Sequence, residues 1–263
     1  QRIANQIGVR PQQVEKDYLI TWILKGISGN VYLLENLIFK GGTCLKKLYF
    51  PDYRFSEDMD FTLQDDSISN EKIIEAFKNI FTEIYREARI KLAIAGDKYE
   101  THPSSGSIKF YTSYIGPLGG IGNEIKVDLT RNEKLEFNPV NGSVFRQYSD
   151  LEEAFSIKAY SLEEILIEKM VALMGRTIAR DLYDFYYLSS IENLDIAGSL
   201  YEFQRKAEDK GHDPNQLGII LNQKEGMYKK SWITNLKHQI QNLDNFDQVW
   251  RSVKRELRKI GSD

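Results

Sequence analysis

Residues 58–63, Asp-Met-Asp-Phe-Thr-Leu, alternate polar and apolar side chains without a break. Only an extended strand sorts such a run, because side chains at i and i+2 share a face. Asp58, Asp60 and Thr62 then project together while Met59, Phe61 and Leu63 pack inward. "NEIKVDLT", Asn123–Thr130, repeats the device, with Lys126 and Asp128 on one face and Ile125, Val127 and Leu129 on the other. Taken alone, either run is an exposed charged strand face. Pairing the two in one sheet gathers Asp58, Asp60 and Asp128, and like charges about 4 Å apart repel by about 4 kcal/mol at an effective dielectric near 20. A hard divalent cation relieves that repulsion and prefers carboxylate and phosphate oxygens, so Mg²⁺ (or Mn²⁺) is the expected cofactor. Two such ions can clamp the attacking and leaving oxygens of an in-line phosphoryl displacement.

Ahead of these acids stands Gly41-Gly42-Thr43, with fifteen residues between Gly42 and Asp58. A glycine pair alone more often marks a plain turn. Here it lets backbone approach a ligand without interference from Cβ atoms, and the helix start that follows offers free N–H groups to an anion. Thr43 adds a hydroxyl donor. The combination with acid-x-acid and a later third acid is far more specific than its parts.

Around these segments the pattern predicts a helix over Pro11–Gly26, a short apolar element at Leu37–Phe39 and a helix over Thr43–Tyr49. A helix over Glu71–Ala88 and strands at Lys91–Ala95, Ser107–Ile115 and Asn123–Thr130 follow. From Ser161 helices dominate: Ser161 and Glu164 form a capping box, and an apolar-periodic segment runs to about Leu188 with an interruption at Gly175. One or two further helices are expected within Trp232–Arg258. The chain thus divides into a mixed α/β part, 1–150, and a largely helical part, 151–263, with the ligand expected between them. Gly116–Gly122 reads as a hairpin loop rather than a phosphate loop, since two strand patterns flank it.

Composition closes off other chemistries. A net charge of −3 removes global attraction to phosphate, so any nucleic-acid contact must come from a local patch. Cys44 is the only cysteine, which rules out an internal disulfide and a thiolate metal cluster, and it reads as a packed helix residue. His102, His212 and His238 are too dispersed to suggest a metal site or a triad. No apolar run approaches the roughly 20 residues that cross a bilayer, and no basic-then-apolar leader opens the sequence. The expectation is a cytoplasmic protein without a membrane partner.

Gly41-Gly42-Thr43…Asp58-x-Asp60 resembles the signature of the polymerase-β-like nucleotidyltransferase superfamily. The phrase "FKGGTCLKKLY…RFSEDMDFTL" is similar to the AbiEii/AbiGii toxin family within it, MenT-type toxins included. Val14–Leu24 is similar to that family's N-terminal helix, Lys126-x-Asp128 to its second motif, and Glu168–Leu188 to its Lys…Arg-Asp-x-x-Asp helical motif. The likeness spans roughly residues 3–190. Thr43 stands where many members have Ser, with the hydroxyl preserved, and the long spacer suggests an extra turn at Pro51.

The resemblance implies an α+β fold: a polymerase-β-like core with a mixed sheet, then a helical C-terminal part. It implies a metal-dependent enzyme moving an NMP from an NTP to an RNA acceptor, a tRNA 3′ end, as the toxin beside a cognate antitoxin, restraining host growth or phage propagation. Asp58, Asp60 and Asp128 are the expected catalytic and metal-binding residues, with Asp128 oriented toward the acceptor proton. Gly41, Gly42, Thr43, Lys126, Lys169, Arg180 and Asp181 are the expected nucleotide-binding residues. Lys169, Arg176 and Arg180, at i, i+7 and i+11, would lie near one face of a continuous helix.

Two rivals and a different acceptor stand beside this reading. A regulator that has lost transfer chemistry would not need three acids and a Thr hydroxyl, and a phosphodiesterase would not need Gly-Gly-Thr with Lys169. A protein hydroxyl is the competing acceptor. For RNA, the available cations are Lys46, Lys47, Arg54, Lys229, Lys230 and the run Arg251, Lys254, Arg255, Arg258 and Lys259, and the candidates for base stacking are Tyr53, Tyr111 and Tyr114.

Overall fold

The computed structural model describes residues 4, 8–116, 118–119, 122–151 and 153–261. The chain forms two compact units, Gln1–Glu133 with Pro139–Tyr160, and Lys134–Asn138 with Ser161–Asp263.

The first unit begins with helix α1 (Pro11–Gly29), entered through Pro11, whose fixed φ suits a first turn. A short α2 (Val31–Asn36) follows, its start capped by the Asn30 side chain, which accepts from the Leu33 N–H at 3.0 Å. Strand β1 (Leu37–Lys40) runs into α3 (Gly41–Cys44), which widens into a π-helical turn over Leu45–Tyr49. Next come β2 (Met59–Leu63), α4 (Asn70–Ala88), β3 (Lys91–Ile94), β4 (Glu100–Thr101), β5 (Ile108–Ile115), β6 (Asn123–Thr130), β7 (Val140–Ser143) and β8 (Ser156–Ala159).

The strands make one mixed sheet in the order β3-β5-β6-β2-β1-β8-β7, with β4 also paired to β5. β2 is antiparallel to β1 and parallel to β6, while β1 is parallel to β8. β5 and β6 are antiparallel neighbours, as a hairpin requires; Pro117, Gly120 and Ile121 of the expected loop lie outside the described residues. Val140–Ser143 and Ser156–Ala159 carry no clear period-two signal, so the sheet extends past the expected boundary near residue 150.

One face of the sheet is a core. Ile108, Phe110, Ile125, Val127 and Leu129 are buried, as is the stripe Ile73, Ile74, Phe77, Ile80, Phe81 and Ile84 of α4. Phe77 meets Phe110 edge-on at a centroid distance of 5.0 Å. Burying side chains of this kind stabilises by roughly 1.5–3 kcal/mol each, enough together to fix which side of every strand faces inward. The opposite face therefore receives Asp60, Lys126 and Asp128.

The second unit holds α5 (Leu162–Gly175), α6 (Ala179–Tyr186) with a π-helical turn over Tyr187–Ile191, α7 (Leu200–Asp209), α8 (Leu217–Leu236) and α9 (Phe246–Arg258). The interruption expected at Gly175 falls there: one helix ends at Gly175 and the next starts at Ala179, so Lys169 and Arg180 lie on different helices. The capping box is half made. Ser161 Oγ accepts from the Glu164 N–H at 3.2 Å, but the Glu164 carboxylate turns inward to Lys206 at 2.6 Å and to the amides of Glu136 and Phe137 at 2.9 and 2.8 Å. Those bonds bind residues 134–138 to the helical unit.

Candidate active site

Strand register brings two of the three predicted acids together, while Asp58 stands just before β2. Asp60 pairs with Asp128 across the parallel β2–β6 seam, Lys40 pairs with Asp60 on β1, and Lys109 pairs with Asp128 on β5. Four adjacent strands thus carry one row, Lys40–Asp60–Asp128–Lys109, on one face of the sheet. All four residues are half-buried. Sequence reading found the two acids; it missed the two lysines, although the alternation Lys109, Tyr111, Ser113 was visible.

Lys126 is the electrostatic centre of this face. Its ammonium is bonded to the Asp128 carboxylate. Burial would lower its pKa, but the Asp128 bond and the fields of Asp128, Asp58 and Asp60 outweigh burial and hold it above the ordinary lysine range. One ammonium thus experiences all three acids.

The glycine turn is built against the same acids. Gly41 has φ +79°, and a Cβ placed there would stand 2.8 Å from Asp60 Oδ2. Only glycine serves, for conformation and for space. At Gly42 a Cβ would stand 2.3 Å from Arg54 Nη2. Thr43 is buried, and its hydroxyl donates to the Asp58 carbonyl, tying the turn to the acidic segment.

In the helical unit, Lys169 is enclosed by Asp181 Oδ1 at 2.9 Å and Asp184 Oδ2 at 2.8 Å. Arg176 Nε reaches Asp181 Oδ2 at 2.8 Å. Burial would raise the Asp181 carboxyl, but Lys169 and Arg176 outweigh it and hold the group below the ordinary carboxylate range. Asp181 is therefore committed to two cations of its own unit, while Arg180 is only half-buried.

Several expected nucleic-acid contacts are inside the core. Lys46, Lys47, Arg54, Tyr53 and Tyr114 are buried and offer no surface to RNA. Lys47 instead pairs with Asp17 of α1 at 2.5 Å and donates to Thr21 Oγ1 at 2.9 Å, while Tyr148 donates to the same aspartate at 2.7 Å. Lys46 donates to the carbonyls of Pro51 and Tyr53. Among the stacking candidates, Tyr111 alone is half-buried. Cys44 is buried, which pushes its thiol far up and fits a packing role. Lys229 pairs with Asp247 at 2.7 Å, and Arg255 and Arg258 occupy the last turn of α9, where cations complement the helix dipole.

Asp60 and Asp128 offer oxygen donors in register beside a glycine turn, a chemistry that suits a hard divalent ion. Among the described residues, no three His, Cys, Asp or Glu side chains are already gathered as a metal cluster. The Lys126 ammonium supplies the local positive charge at Asp128 in this structure. No helix among the described residues is long and apolar enough to cross a membrane.

A family model for "Nucleotidyl transferase AbiEii toxin, Type IV TA system" matches residues 22–253. No curated protein matches the chain. Among solved structures, MenT4, a nucleotidyltransferase toxin from Mycobacterium tuberculosis, superposes with a TM-score of 0.64 at 15% identity, covering 97% of this chain and 87% of that one. JHP933 from Helicobacter pylori superposes with a TM-score of 0.60 at 15% identity, covering 96% and 93%. At that identity the structural likeness establishes the fold.

Proposed function

Because the chain belongs to the AbiEii family of nucleotidyltransferase toxins of type IV toxin–antitoxin systems, we propose that it moves an NMP from an NTP to an RNA hydroxyl, with a tRNA 3′ end as acceptor and pyrophosphate as the leaving group. The observation that carries this reading is the register of Asp60 with Asp128 against the cradle at Gly41. Asp58 and Asp60 would hold Mg²⁺ or Mn²⁺, with Asp128 completing the donor set and taking the acceptor proton. When bound, such an ion would neutralise triphosphate charge and lower the pKa of the attacking hydroxyl. Gly41 and Gly42 admit the phosphates to the backbone, and Thr43 holds that backbone to the Asp58 segment. Lys126, released from Asp128, supplies positive charge to the triphosphate. Lys169, Arg180 and Asp181 are assigned to the nucleotide, with Lys169 at its phosphates and Arg180 and Asp181 lining its pocket.

The test uses α- and γ-labelled NTPs with Mg²⁺, total tRNA and cell protein, followed by separate ribonuclease and protease digestion. Transfer of the α label into ribonuclease-sensitive material is expected. Label that survives ribonuclease and disappears with protease would replace RNA by a protein hydroxyl; γ-phosphate release alone would replace transfer by hydrolysis. As a toxin beside a cognate antitoxin, the wild type expressed alone should arrest growth in the cytoplasm, and Asp60→Ala should relieve the arrest. Equal growth of the two strains would remove the toxic role.

A further inference from the structure

The sheet order gives the acid face a direction. The glycine turn follows β1 and abuts Asp60 on β2, Asp128 lies on β6, and the next strand outward is β5. If the nucleotide enters at the glycines and Asp128 takes the acceptor proton, the acceptor must approach from the β5 side.

That side carries a cation and an aromatic ring. Lys109 stands in register with Asp128, and Tyr111 with Lys126. The Lys109 ammonium is 5.9 Å from the centroid of the Tyr111 ring, at the outer limit of a cation–π contact. β4 places Glu100 opposite Lys109, and its carboxylate holds the ammonium at 2.6 Å. The Glu100 side chain is 70% exposed, so this pair is a weak one that an incoming anion can replace. The protein's net charge of −3 makes such a local cation necessary for any polyanion.

We propose that Lys109 and Tyr111 form the subsite for the unpaired 3′ end of the acceptor RNA. The Tyr111 ring stacks on a terminal base, and the Lys109 ammonium exchanges Glu100 for a backbone phosphate. A ring and a cation together suit single-stranded nucleic acid, because every base has a π-face and every nucleotide a phosphate. The assignment rests on the RNA reading and adds which strand meets the acceptor.

The probe is a fluorescein-labelled RNA hairpin with four unpaired 3′ nucleotides, titrated with the whole protein without NTP and read by anisotropy. Tyr111→Leu should weaken binding about tenfold, whereas Tyr111→Phe, which keeps the ring, should stay within about twofold. Lys109→Gln should lower the log–log salt slope by about 0.7, and Glu100→Gln should tighten binding. A blunt hairpin should bind wild type and Tyr111→Leu alike. In the transfer assay Tyr111→Leu should raise KM for RNA and leave KM for NTP in place. Unchanged binding of the overhang probe by both Tyr111→Leu and Lys109→Gln overturns the subsite. So does an equal rise in KM for NTP, which would assign these residues to the nucleotide. Wild type that still labels RNA in either case leaves the RNA reading standing, while wild type that labels only protein sinks both.

Discussion

The sheet face and the helix α5–α6 region use the same residue types to opposite ends. On the sheet, Lys40, Asp60, Asp128 and Lys109 are half-buried and spread one per strand, so solvent reaches their charges. Between α5 and α6, Lys169, Asp181 and Asp184 are buried, with the lysine bonded to both carboxylates at 2.8–2.9 Å. The difference lies in what happens when a partner is lost. An open charge regains water; a buried one does not.

The largest expected effect lies on the sheet: Asp60→Ala or Asp128→Ala should cut nucleotide transfer by at least about a thousandfold, with an unchanged urea midpoint. Wild-type turnover in either variant would remove that acid from the chemistry. On the helices the order reverses, and Lys169→Met should cost about 3 kcal/mol of stability by urea unfolding because it takes a shared cation from two buried carboxylates. A loss below about 1 kcal/mol would show that the region behaves like a surface pair.

Acid sharpens the same contrast. The folded-state pKa of Asp181 is depressed, so its stabilisation is present above the ordinary carboxylate range and is lost as pH falls through the folded value. The advantage of wild type over Asp181→Asn in urea midpoint should hold from neutral pH down to about 4 and shrink below it. An advantage that grows on acidification would reverse the sign.

Smaller effects follow at single contacts. Gly41→Ala forces a positive φ on an L-residue and crowds Asp60; it should cost about 1–2 kcal/mol, and more in transfer rate than in stability. Lys229→Ala breaks only the exposed pair with Asp247 and should change stability by less than about 1 kcal/mol.

The two regions also differ in what could be read from the chain alone. The acid strands, the amphipathic α4 and the break near Gly175 were legible because periodicity and glycine are local signals. β7 was not: its Val-Asn-Gly-Ser sequence has little strand propensity, and Gly142 is required there by a close approach, since a Cβ would stand 2.3 Å from Leu48 Cδ2. Lys46 and Lys47 read as surface cations because lysine almost always is one. Their burial depends on Asp17, on the Pro51 and Tyr53 carbonyls and on Thr21, which no spacing rule connects. Glu164 fitted a capping pattern, yet Lys206, far along the chain, claimed its carboxylate.

The return of residues 156–159 to pair with β1, and of 134–138 to Glu164 and Lys206, has a consequence for synthesis on the ribosome. The row of acids is complete in the nascent chain once β6 has emerged, but β1 waits for β8 before its second edge is covered. Residues 134–138 wait longer still, until Lys206 is made. A stalled or truncated chain would therefore expose an unpaired strand edge, and an open edge invites pairing with another chain. The acid-bearing half should be recovered as inclusion material when translation stops before residue 156 and as soluble protein only when the chain runs on.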